Sequence, residues 1–185
     1  MPSIPDFNYN NVIPPHLGNP TDSNRISPYK ADILDFCHKF ATSTERIEIL
    51  KGFVTFRLEA LKYGIKDGFQ WIDGSFSENI EKSEKRAPND IDVVSFIPSV
   101  NSIDVANISK NFIAFIYPKI SKDQYKVDHY IVEFDRHPIS TIHATKYWIQ
   151  LFSHNRNGVW KGMIEIPIYK TPDKDNDALT YLNSI

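Results

Sequence analysis

Two aspartates flank a single isoleucine in Asn89-Asp90-Ile91-Asp92. In an extended strand, residues two apart project from the same face, so the Asp90 and Asp92 carboxylates point together. Like charges at that spacing disfavour each other's ionisation, and a cation between them removes the penalty. Hard, anionic oxygen donors of this kind suit Mg²⁺ or Mn²⁺. Taken alone, the pair also fits an Asn89-Asp90 turn with Asp92 facing water, a common use of Asp-x-Asp. Two further features weigh toward chemistry. Gly74-Ser75 follows directly on the run Phe69 to Asp73; a glycine there lets a phosphate approach the backbone, and exposed amides with the Ser75 hydroxyl hold its oxygens. Asp128 lies inside an apolar run, where burying an unpaired carboxylate is costly. A metal shared with Asp90 and Asp92 on a neighbouring strand satisfies all three.

The elements that must carry these residues follow from apolar periodicity. Phe69 to Asp73, Ile91 to Ile97, Tyr125 to Phe134 and Met163 to Ile168 are rich in β-branched and aromatic residues and read as strands. Before them, Ser27 with Pro28 offers a helix start, followed by the stripe Ile33, Leu34, Cys37 and Phe40. Thr42 and Glu45 have capping-box spacing ahead of Ile47, Leu50, Val54, Leu58 and Leu61, a pattern that Gly64 ends. Ile103 to Tyr117 and Ser140 to Phe152 read as further helices, and Phe76 to Asn89 as a charged connection with a helical turn or two. Helices come first and strands then alternate with helices, so the expected class is α/β or α+β with a mixed sheet. Residues 1 to 24 hold Pro2, Pro5, Pro14, Pro15 and Pro20 and predict an extended arm lying over the surface. Residues 25 to 170 form the expected single domain, and the polar tail 171 to 185 is expected to fray.

Composition limits the partners. The 21 basic and 23 acidic side chains give a formal charge of −2, so no chain-wide field draws this protein onto nucleic acid or anionic lipid, and any polyanion must meet a local site. A single cysteine, no leader-like start and no apolar run of membrane-spanning length give the expectation of a cytoplasmic protein without a membrane partner. None of the seven glycines has Gly-x-Gly spacing, which excludes dinucleotide fingerprints and Walker loops. No Gly-x-Ser-x-Gly or His-Glu-x-x-His occurs, and one cysteine makes no thiolate zinc site. Lys82, Lys85 and Arg86 alternate with Glu81 and Glu84 and read as a solvated face outside the site. Cys37 reads as an inert core thiol, His129 as a packed or surface histidine opposite Asp128, and Trp71, Trp148 and Trp160 as core aromatics, with Trp160 open to exposure in its turn.

Gly74-Ser75, Asp90-Ile91-Asp92 leading into Val93-Val94, and Asp128 within Val127-Asp128-His129-Tyr130 together resemble the signature of the polymerase-β-like nucleotidyltransferase superfamily. The motif stretch, Asp73 to Phe134, covers about a third of the chain. The ends are similar to a short bacterial family within that superfamily, through Ile4-Pro5-Asp6-Phe7-Asn8, Val12-Ile13-Pro14-Pro15 and Lys161-Gly162 with Glu165. The resemblance implies an NTP substrate held at Gly74-Ser75, two Mg²⁺ on Asp90 and Asp92, and Asp128 as a ligand of the catalytic metal that also activates an acceptor hydroxyl. It implies transfer of a nucleoside monophosphate to a hydroxyl of a protein, an RNA or a small molecule. Two rival expectations use the same fold: a non-catalytic partner of a cognate toxin or antitoxin, or of another defence pair, and a metal-dependent phosphodiesterase. The fourteen residues between Ser75 and Asp90 exceed the usual gap of the superfamily, and the excess is the charged stretch 81 to 86, read as a loop insertion.

Overall fold

Alternating β-branched and aromatic residues build a mixed sheet with one face toward each of two apolar layers. The computed structural model describes residues 4–185; Pro2 of the N-terminal arm lies outside the described residues. The strands are β1 (Tyr29–Lys30), β2 (Phe69–Asp73), β3 (Ile91–Ile97), β4 (Val127–Glu133) and β5 (Ile164–Pro167), in the spatial order β1-β5-β2-β3-β4. β2 runs antiparallel to both β3 and β5, whereas β3 with β4 and β1 with β5 are parallel. This is the α/β class with a mixed sheet expected from the sequence, and β2 and β3 have the bounds their residue patterns give.

Among the described residues seven α-helices accompany the sheet: α1 (Ile33–Phe40), α2 (Thr44–Lys62), α3 (Ile80–Ser83), α4 (Ser102–Asn111), α5 (Pro118–Tyr125), α6 (Pro138–Phe152) and α7 (Asp173–Asn183). On one sheet face Ile72, Ile91, Val93, Val127 and Ile164 pack against Phe36, Phe40, Phe53 and Phe56 of α1 and α2. On the other, Trp71, Val94, Phe96 and Val132 meet Trp148 and Phe152 of α6. The period of two along β3 therefore sends Ile91, Val93 and Ile97 to the first layer and Val94 and Phe96, with Asp92 at the same parity, to the second.

The helix boundaries correct the sequence reading. The cap of α1 lies five residues beyond Ser27, at Asp32, because the Asp32 carboxylate accepts from the Asp35 N–H and Tyr29 is committed to the sheet. Ser43, not Thr42, caps α2, its hydroxyl accepting from the Arg46 N–H at 3.3 Å. The span Ile103 to Tyr117 breaks at Phe112, passes through a 3-10 turn at Ile113–Phe115, and is followed by α5, opened by Pro118 at its first position. The arm is anchored as well as extended: Ile4, Val12 and Ile13 are buried, and Val12 bridges to Glu78.

The tail from Thr171 does not fray in this structure. α7 docks on α1 and α2 through Ala178 and Leu182. Its Asp175 carboxylate accepts from Arg57 Nε at 2.5 Å, with both side chains buried. Arg57 also donates to Gln70 and to the Pro167 carbonyl. The polar composition of the tail hid one buried acid whose partner lies 118 residues away.

Candidate active site

β2 and β3 pair with Asp73 opposite Asp92, and β3 and β4 pair with Asp92 opposite Asp128. Three strands thus present an aspartate at one level of the sheet. The row opens on a cleft of about 600 Å³, within the range of small-molecule sites. Gly74, Ser75, Asp90, Asp92 and Asp128 all line that cleft. So do Asp73, Glu78, Arg86, Lys122, Arg156 and Lys161, which the sequence reading did not place there.

Gly74 has a different reason for being glycine from the one its motif suggests. Its backbone, φ 78° and ψ −166°, lies in a region open almost only to glycine. A Cβ there would fall 1.7 Å from Asp92 Oδ2, so the missing side chain seats the Asp92 carboxylate against the turn. Gly74→Ala is expected to cost about 1–3 kcal/mol in backbone strain alone and to push Asp92 from its seat. Urea denaturation reads the first effect; a midpoint equal to wild type refutes it.

The turn is held from beneath by two buried cations. Lys161 donates to the Gly74 carbonyl at 2.9 Å and to Glu78 Oε1 at 2.7 Å, and lies 3.1 Å from Asp73 Oδ1. Burial works against the charge on Lys161, but the Asp73 and Glu78 carboxylates more than offset it and leave its pKa raised. Burial also pushes the Asp73 carboxyl up to about 7, against the pull of Lys161. Arg46 of α2 donates to the Phe76 and Glu78 carbonyls and forms a forked pair with Glu81. Part of the charged stretch 81 to 86 is therefore structural: Glu81 belongs to this tether, and α3 carries the start of the stretch.

Away from Lys161, the carboxylates of Asp90, Asp92 and Asp128 outnumber the cation paired with them. Burial first, then the charges of Asp90 and Asp128, push the Asp92 carboxyl up to about 6. Lys122, on the last turn of α5, supplies the cation in reach: its ammonium pairs with Asp90 and lies 3.3 Å from Asp128 Oδ2. The hydrogen bond to Asp90 and burial pull its pKa in opposite directions, and the carboxylates prevail, holding it above the ordinary value. Among the described residues, no three Asp, Glu, His or Cys side chains stand together as a ready metal cage. The donor chemistry nevertheless fits a hard divalent cation, because two of the three carboxylates already draw a cation, the Lys122 ammonium, between them.

The remaining side chains behave as their neighbours dictate. His129 is fully buried between the Ser95 hydroxyl and the Phe115 carbonyl, and burial lowers its pKa to about 3. Cys37 is a buried thiol pushed up to about 12 by burial. Trp71 and Trp148 are core residues; Trp160 is 46% exposed and rests on His16. Arg86 is exposed and paired with Glu84, as a solvated face would be, yet it also borders the cleft. Signals for the missed residues were thin. Asp73 ends a strand just before Gly-Ser, and Lys161 stands in the Lys161-Gly162 pair, but nothing in the spacing joins Lys122 to Asp90.

Fold and site together define an α/β protein with a carboxylate-walled cleft at one end of a mixed sheet. The chain belongs to the family of unknown function DUF6932, which it matches over residues 5–167. That span contains the whole cleft and stops before α7. No curated protein and no solved structure matches the chain.

Proposed function

We propose that the cleft is a nucleotidyltransferase site that moves a nucleoside monophosphate from an NTP to a hydroxyl acceptor. The observation that carries this reading is the meeting of Asp90, Asp92 and Asp128 with the Gly74-Ser75 turn in one cleft. Asp90, Asp92 and Asp128 would hold Mg²⁺ or Mn²⁺, which when bound neutralises charge on the reacting phosphate. The Ser75 hydroxyl and the adjacent amides orient the outer phosphates. The acceptor oxygen forms a bond to the α-phosphorus as the bond to the β-phosphate oxygen breaks. Pyrophosphate leaves with that electron pair, and Asp128 takes the hydroxyl proton. Arg86 and Arg156 border the same cleft and offer charge to a polyanionic substrate.

A second reading draws on the same Lys122 pair. An ammonium that neutralised Asp90 and Asp128 permanently would leave a nucleotidyltransferase fold without turnover, a binding partner such as one half of a toxin–antitoxin pair. Among the described residues no helix is long and apolar enough to cross a membrane.

Incubation with each α-labelled NTP, Mg²⁺ and cell extract decides between the readings: transferase activity moves label to a protein, an RNA or a small molecule, and a partner moves none. An NTP with Mg²⁺ at about 100 times its Kd should stabilise the fold by about 2.7 kcal/mol, and Asp90→Asn with Asp92→Asn should abolish the effect. Unchanged melting with all four MgNTPs at millimolar concentration counts against any nucleotide site.

A further inference from the structure

The cleft contains two lysines held in opposite ways. Lys161 is 1% exposed and fixed by the Gly74 carbonyl, Glu78 and Asp73. The Lys122 side chain is 48% exposed, and among the described residues its ion pairs are with Asp90 and Asp128, whose side chains are 13% and 20% exposed. The acid nearest to it on its own helix, Asp123, is already paired with Lys119 at 2.8 Å. The Lys122 ammonium therefore reaches inward from the rim of the cleft to less exposed acids, on a flexible stem with open solvent behind it.

Its two partners come from different strands. Asp90 immediately precedes β3, Asp128 is the second residue of β4, and Asp92, in register with Asp128, stands beside them. The ammonium thus occupies the gap that a shared cation would need. A point charge on a mobile stem meets the electrostatic demand of these carboxylates without satisfying all their oxygens.

We infer that Lys122 is an exchangeable counter-cation: its ammonium fills the carboxylate site in the ion-free protein and swings out to solvent when a divalent cation enters. This deepens the proposed function and rests on its reading of Asp90, Asp92 and Asp128 as cation ligands. Two consequences follow from competition for the same oxygens. The wild-type site binds divalent cations more weakly than its carboxylates alone would, and the ion-free fold depends on Lys122 to relieve their repulsion. The lysine guards the site against adventitious ions and yields to a substrate that arrives with its metal.

The test is Mn²⁺ titration, followed by the electron paramagnetic resonance of the free ion, on wild type, Lys122→Met and Lys122→Arg. The ion-free melting midpoint of each is measured alongside. Lys122→Met should bind Mn²⁺ about tenfold more tightly than wild type and melt lower without the ion. Lys122→Arg keeps the competing charge and should bind as weakly as wild type. Binding by Lys122→Met no tighter than wild type, or a higher ion-free midpoint, overturns the inference. If all three proteins bind Mn²⁺ equally, the cation site stands and only the role of Lys122 falls. If none binds it at millimolar concentration, the carboxylate reading falls with it.

Discussion

Asp128→Asn should lower label transfer by about 100-fold or more while NTP binding changes by no more than a few fold. Asparagine keeps the size of the side chain and one acceptor oxygen, so the β4 register beside Asp92 has no reason to change. What it loses is the negative charge and the ability to take the acceptor's proton. In the proposed mechanism Asp90 and Asp92 would still meet a nucleotide with its metal, and Gly74-Ser75 lines the cleft beside them. Binding and chemistry therefore separate at this residue. In a non-catalytic partner the same change has no turnover to affect, and by removing one of three neighbouring carboxylates it raises ion-free stability. Single-turnover label transfer with saturating MgNTP, set beside the nucleotide Kd of each protein, distinguishes the two. Equal transfer by wild type and Asp128→Asn sinks the proposed mechanism.

Lys161→Met should destabilise the fold by about 3–5 kcal/mol, the usual cost of removing one partner from a buried ionic cluster. Methionine fills much the same space, so the loss is electrostatic and not a cavity. Without the ammonium, Asp73 and Glu78 face each other inside the protein and the Gly74 carbonyl loses its donor. Asp73→Asn with Glu78→Gln should restore part of the loss in the Lys161→Met background, because the stranded charges are then gone. Urea denaturation of the single and triple variants gives both numbers. A single variant within about 0.5 kcal/mol of wild type, the range of ordinary surface changes, shows that Lys161 does not hold the turn.

The two lysines mark the boundary of what the sequence determined. Strand patterns located β2 and β3 residue for residue, because burial on both faces favours runs rich in β-branched and aromatic residues at those positions. The same patterns put Gly74-Ser75 at a strand end and gave Asp92 and Asp128 their strand positions, with Asp90 one residue ahead of β3, since local periodicity sets which way a side chain points. α7 escaped notice because its apolar contacts are few and its key residue is an acid, which reads as solvent-facing until Arg57 is brought to it. α5 was hidden by Pro118, a helix stop in one direction and a helix start in the other.

Only the tertiary structure decided which charges meet. Strand pairing aligned Asp73, Asp92 and Asp128, from three separate segments of the chain, into one row. Chain reversal brought Lys161 under the Gly74 turn, 87 residues away. Lys122 came to bridge Asp90 and Asp128 because α5 packs directly against β4. Periodicity carries the direction of a side chain relative to its own backbone and nothing about the segment across from it. Partners for buried charge are chosen by packing between distant elements, and a charged residue looks the same in sequence whether it faces water or its counter-ion.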